Sequence, residues 1–162
     1  MITRIFVYSF ILLSVFLIQA CSHSVIRYKR KHTEVHQELD AYRNYINLLS
    51  NGKIGKKSTS IGMVEYEPKN PNLLGRCLFT TNPLGKEIDI VKDQWYYLSD
   101  ERKLILVAHE FIHCDCTRFG HEEKYFKDGC PTTIMDAYLP DEKCVEDHFY
   151  EYMSQIQKGC YD

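Results

Sequence analysis

The sequence has no excess of charge of either sign: its 162 residues carry 20 Lys+Arg against 22 Asp+Glu, a formal net charge of −2. Without an overall basic field nothing holds a polyanion by counterion release, so a dedicated nucleic-acid binder is excluded. Internal repeats and low-complexity tracts are also missing, which excludes a repeat array. The length leaves no room for a multidomain machine. The one long apolar run, Ile5 to Ile18, is shorter than the roughly 17 to 25 residues that a membrane-spanning helix needs. What is present, 44% hydrophobic, 26% charged and 13% aromatic residues, is the make-up of one ordinary folded domain.

Arg4, the apolar run and Gln19-Ala20-Cys21 together have the form of a signal peptide over residues 1–20. Ile18-Gln19-Ala20-Cys21 resembles a bacterial lipobox, whose cysteine is lipidated and becomes the mature N-terminus. Ser22 rather than Asp after it resembles a lipoprotein sent to the outer membrane. These resemblances imply a domain tethered to the membrane through lipid on Cys21 and facing the periplasm. Six cysteines then remain: Cys77, Cys114, Cys116, Cys130, Cys144 and Cys160. In an oxidising compartment an even set reads as three disulfides, with about 15 connectivities open.

Residues 21–60 read as a lipid-anchored N-terminal helix and linker, and residues 61–162 as the functional domain. Val35, Leu39, Tyr42, Ile46 and Leu49 fall on one helical stripe within residues 23–50, after a solvated basic tether of Arg27, Lys29, Arg30 and Lys31. Asn51 to Ser60 reads as a loop. Three β-prone runs follow, Ile61 to Glu67, Arg76 to Thr81 and Glu87 to Val91, split by Pro- and Asn-rich turns, and they predict a small antiparallel or mixed sheet. Ser99 is placed to cap a helix over 99–118 with Asp100 and Glu101 in its first turn. Leu104 to Ile112 is apolar almost all round, so this helix should run through the middle of an α+β fold. Gly120 to Pro140 is irregular. Asp141 then caps a last helix with a stripe of Val145, Phe149, Met153 and Ile156, ended by Gly159.

The central helix carries His109-Glu110-Phe111-Ile112-His113. Residues four apart project from one helical face, so the two imidazoles can share one zinc ion, and Glu110 can reach a water there as general base. With seven histidines in the chain, chance supplies this pattern about 0.02 times. Reading both residues as plain core histidines would strand polar rings in an apolar helix. A catalytic zinc takes a third protein ligand. His121 is the best placed, because Gly120 can adopt the left-handed conformation that ends the helix and turns the chain back. The bland alternative is an exposed loop histidine beside Glu122 and Glu123. His148, on the last helix, reads as solvated, and Glu146 is a rival ligand if that helix packs beside the central one. Cys114 and Cys116 lie about 200° apart around a helix, so each should bond elsewhere rather than to the other.

His109-Glu110-x-x-His113, a returning His121 and Thr133-Ile134-Met135-Asp136 resemble the metzincin-type zincins, in which a methionine turn lies beneath the zinc histidines. Cys114, Arg118, Asp128-Gly129-Cys130-Pro131, and upstream Cys77-Leu78-Phe79, Glu87-Ile88-Asp89-Ile90 and Trp95, are similar to small uncharacterised metallopeptidase-like proteins of bacteria and phages. The likeness covers about residues 75–155. Two departures stand out. Cys116 replaces the glycine of H-E-x-x-H-x-x-G-x-x-H, and the third histidine falls two residues late. The resemblance implies a small disulfide-stapled zincin-like domain with Met135 packed under the site and Cys114 bonded to Cys130. It also implies zinc-dependent hydrolysis of a peptide or protein substrate in the cell envelope, with Glu110 as base. Tyr138, three residues after Met135, could donate to the oxyanion, although the plainer expectation is a buried loop tyrosine. The rival expectations are a metal-binding or redox lipoprotein, suggested by Cys114-x-Cys116 and the pair His32 and His36, and a non-enzymatic envelope protein.

Overall fold

The computed structural model describes residues 36–65, 72–81 and 84–160. The signal segment, Cys21, the basic tether, His32 and Val35 lie outside the described residues. Among the described residues eight elements run in chain order: α1 (Gln37–Leu49), β1 (Thr59–Val64), β2 (Gly75–Thr81), β3 (Leu84–Val91), α2 (Lys92–Trp95), α3 (Asp100–Asp115), α4 (Glu142–Asp147) and α5 (Phe149–Lys158). The class is α+β, as the periodicities imply.

The sheet is mixed, with order β1-β3-β2. Central β3 pairs in parallel with β1, Ile61 opposite Ile88 and Met63 opposite Ile90. It pairs antiparallel with β2, Cys77 opposite Ile88. Ile61, Met63, Ile88 and Ile90 are all buried. The alternation sends these side chains to one face, and burying each contributes about 1.5–3 kcal/mol. Helix α3 lies against that face. Its residues Ile105, Val107, Ala108, Phe111 and Ile112 are fully buried, which accounts for the apolar circumference. Leu39 and Ile46 of α1 and Ile54 after it join the same cluster. Residues 37–60 therefore pack as part of one body with the sheet, not as a linker ahead of it.

Three expectations about the elements change. Ser99 does cap α3, its side chain accepting from the Arg102 N–H, but the helix stops at Asp115 rather than at 118. The last helix is two helices broken at His148. Asp141 accepts from the Cys144 N–H at the start, and Gly159, at φ 66°, closes the end. The disulfides are Cys77–Cys114, Cys116–Cys160 and Cys130–Cys144. The expected Cys114–Cys130 bond is absent because β2, packed against α3, brings Cys77 beside Cys114. Cys130 meets the first turns of α4 instead.

Candidate metal centre

His109 and His113 stand one turn apart on the last two turns of α3, on the side that faces a groove of about 710 Å³. Each imidazole is oriented by a backbone carbonyl. His109 Nδ1 donates to the Ile134 carbonyl at 2.6 Å, and His113 Nδ1 donates to the Arg118 carbonyl. Those acceptors hold the ring protons on Nδ1 and leave Nε2 bare, which is the arrangement of an oriented metal ligand.

The third imidazole joins them. His113 Nε2 lies 2.9 Å from His109 Nε2 and 3.1 Å from His121 Nε2. Two nitrogens bound to one tetrahedral zinc, each at about 2.0–2.1 Å, would sit about 3.3–3.4 Å apart. The three histidines thus converge nearly as they would around an ion, and the bare Nε2 lone pairs of His109 and His113, 2.9 Å apart, repel unless a cation lies between them. His121 itself is exposed. Its place comes from its neighbours: Arg118 pairs with Glu122, and the Glu122 N–H donates to the Met135 carbonyl at 2.9 Å.

The chain reversal has a different cause from the one expected. Gly120 does not have a positive φ; Thr117 does, at 56°. The left-handed residue sits two positions after α3, and it is what directs the Arg118 carbonyl back to His113.

Under the histidines, Thr133–Asp136 forms a tight turn. Thr133 Oγ1 accepts from the Met135 N–H at 3.0 Å, and the Asp136 N–H reaches the Thr133 carbonyl at 3.3 Å. Met135 is fully buried and packs in the core cluster. Helix α5 anchors this turn: Gln155 accepts from the Ile134 N–H at 3.0 Å and donates to the Thr132 carbonyl at 2.9 Å, while Tyr152 donates to the Pro131 carbonyl at 2.7 Å. The carbonyl that orients His109 is therefore set by a helix some twenty residues further along the chain, a support that the sequence does not advertise.

Glu110 is buried, 4% exposed, and lines the same groove. Its Oε2 has no hydrogen-bond partner among the described residues. Burial raises its pKa, and the charge of Asp89 adds to the effect while the Cys77 backbone N–H opposes it, leaving the group at about 8. Burial likewise pushes His109 down to about 3, with the neighbouring His113 contributing, and burial lowers His113. Both rings are neutral at physiological pH, the form that binds metal. Three converging imidazoles beside a buried carboxyl with an orphaned oxygen fit a divalent cation.

The remaining expectations sort plainly. Tyr138 is 72% exposed and lines the groove, so it is not a buried loop tyrosine. Glu146 is exposed and is not among the groups that bring ligand atoms together, which removes it as a rival. His148 is not solvated. It is half-buried, stacks on Phe126 with ring centroids 3.8 Å apart, and its Nε2 lies 2.7 Å from Asp128 Oδ2. Asp128 and His148 also lie close to Cys130, but the Cys130 sulfur is bonded to Cys144 and offers no thiolate. The Cys130 backbone N–H and His148 hold the Asp128 carboxyl below its usual range. Among the described residues, then, His109, His113 and His121 form the metal-capable group with three ligands available, and the identity of its ion is a question of chemistry.

Among the described residues no helix is long and apolar enough to cross a membrane. In comparisons with known proteins, no family model, no curated protein and no solved structure matches the chain.

Proposed function

We propose that this protein is a zinc-dependent peptidase of the bacterial cell envelope, anchored by lipid on Cys21, with His109, His113 and His121 as metal ligands and Glu110 as general base. The observation that carries the reading is the convergence of three imidazoles on one point, two of them oriented by backbone carbonyls, with the buried Glu110 Oε2 in the same groove. Three nitrogen ligands with an open fourth position favour zinc in a hydrolytic role over a closed structural site. Bound there, zinc supplies Lewis acidity, polarising a scissile carbonyl and lowering the pKa of a water in the site.

The chain's own residues do the rest. The buried Glu110 carboxyl, its ionised form favoured by a cation held by the histidines, then accepts the proton of the attacking water on Oε2 and returns it to the nitrogen of the leaving amine. Its burial keeps bulk water from competing for that oxygen. Tyr138, at the mouth of the groove, donates a hydrogen bond to the oxyanion. The three disulfides support an oxidising compartment. They also leave Cys114 and Cys116 without thiols, which argues against the redox rival.

Elemental analysis of the mature protein, purified without chelator, should find one zinc per chain, and the loaded protein should cleave members of a mixed peptide pool. His109→Ala, His113→Ala and His121→Ala should each lose or weaken the metal. Glu110→Gln should keep it and lower turnover by about 10²–10⁴-fold. Absence of zinc would remove the peptidase reading. Loss of metal in Glu110→Gln would make Glu110 a ligand and not the base.

A further inference from the structure

We infer that Gly75 is a positioning residue for Glu110: the missing side chain on β2 is the space in which the Glu110 carboxylate is held. This rests on the peptidase reading for its catalytic consequence, but the contact itself does not. A Cβ built on Gly75 would lie 2.8 Å from Glu110 Oε1, 3.0 Å from its Cγ and 3.1 Å from its Cδ. Real Cβ atoms are not found at the first of these distances, so any side chain at position 75 displaces the carboxylate. Backbone conformation gives no other reason for glycine there, because Gly75 is absent from the residues with positive φ.

Neither wall of this space can retreat. On the strand side, the Val91 N–H donates to the Leu74 carbonyl at 2.8 Å, Gly75 is registered opposite Ile90, and two residues on Cys77 is bonded to Cys114 of α3. On the helix side, Glu110 stands between buried Ala108 and Phe111 and fully buried Ile112. The disulfide thus ties the strand to the helix that bears Glu110, four residues from that side chain, and holds the glycine against it. The atoms that a methyl would strike belong to the end of a flexible side chain. The fold therefore accommodates Gly75→Ala by moving Glu110, which converts a small packing change into a catalytic one.

The test combines activity with a readout that does not depend on it. Gly75→Ala should keep its zinc and its KM, and should lose about 100-fold in kcat, the scale of loss from misplacing a catalytic group by about an ångström. Its melting temperature should fall by about 3 °C, and the same substitution added to Glu110→Ala should leave melting unchanged, because the obstructing carboxylate is gone. Full activity with unchanged melting in Gly75→Ala would overturn the inference. So would an equal fall in melting with and without the Glu110 side chain, since the methyl would then meet something else. If the wild-type protein hydrolyses no peptide, the peptidase reading fails while the melting comparison still decides whether Gly75 holds Glu110 in place.

Discussion

At the scale of single residues, the turn after α3 shows how conformation and residue type can part company. Glycine is the residue expected at a positive φ because it lacks the Cβ that clashes there. Here the β-branched Thr117 takes that conformation, while Gly120 keeps an ordinary φ and a Cβ built on it meets nothing within 4 Å. A left-handed non-glycine residue costs about 1–2 kcal/mol, part of which glycine returns in chain entropy. Thr117→Gly should therefore stabilise the protein by about 0.5–1 kcal/mol, seen as a higher urea midpoint with an unchanged slope. Gly120→Val should stay within about 0.5 kcal/mol of wild type and keep its metal. Loss of zinc in Gly120→Val would show that the reversal depends on that glycine after all. The order of effects is opposite to the one that residue type suggests, because what fixes His121 is the Arg118–Glu122 pair and the bond from Glu122 to Met135.

At the scale of elements, the candidate metal centre draws on one helix that carries two of its histidines and on another that acts on them through a loop. α3 places His109 and His113 by its own periodicity. α5 acts through the 131–136 loop, where Gln155 bridges the Ile134 N–H and the Thr132 carbonyl and Tyr152 holds the Pro131 carbonyl. Ile134 in turn presents its carbonyl to His109. Replacing Gln155 with Ala removes two hydrogen bonds to partly buried backbone groups, at about 1 kcal/mol each. Because the loop also orients a ligand, the same change should weaken zinc by about 10–100-fold, the range seen when supports behind a ligand are lost. Competition with a chromophoric chelator would measure it. An affinity equal to wild type in a destabilised Gln155→Ala protein would mean that the loop is held without α5.

At the scale of the whole molecule, the three cross-links join segments that are distant along the chain. Cys77–Cys114 and Cys116–Cys160 close chain separations of 37 and 44 residues and attach the C-terminal half of α3 to β2 and to the end of α5; Cys130–Cys144 closes 14 residues and fixes the loop to α4. Each bond contributes about 2–4 kcal/mol by restricting the unfolded chain. Thiol labelling of the native protein should find none of these six cysteines free. Reduction should unfold it or release its metal under conditions where the oxidised protein is stable. Two or more labelled thiols among the six without loss of structure would contradict the pairing.

Much of this molecule was legible along the chain. Local rules place the Ser99 and Asp141 caps, the Gly159 stop, the apolar belt of α3 and the strand alternation at Ile88 and Ile90, because each depends on residues within one or two turns of itself. The pairing of His109 with His113 is likewise local, a matter of helical pitch. What the chain could not reveal depends on which distant segments meet: Cys114 bonds Cys77 and not Cys130, His148 faces Asp128, and Gly75 lies against Glu110. Those meetings follow from β2 packing against α3 and from the break between α4 and α5. Residue identity alone determined that two metal-capable histidines and a carboxylate exist on one helix; only the packing of strand and loop onto that helix decided which proton His109 and His113 keep and which oxygen of Glu110 is left without a partner among the described residues.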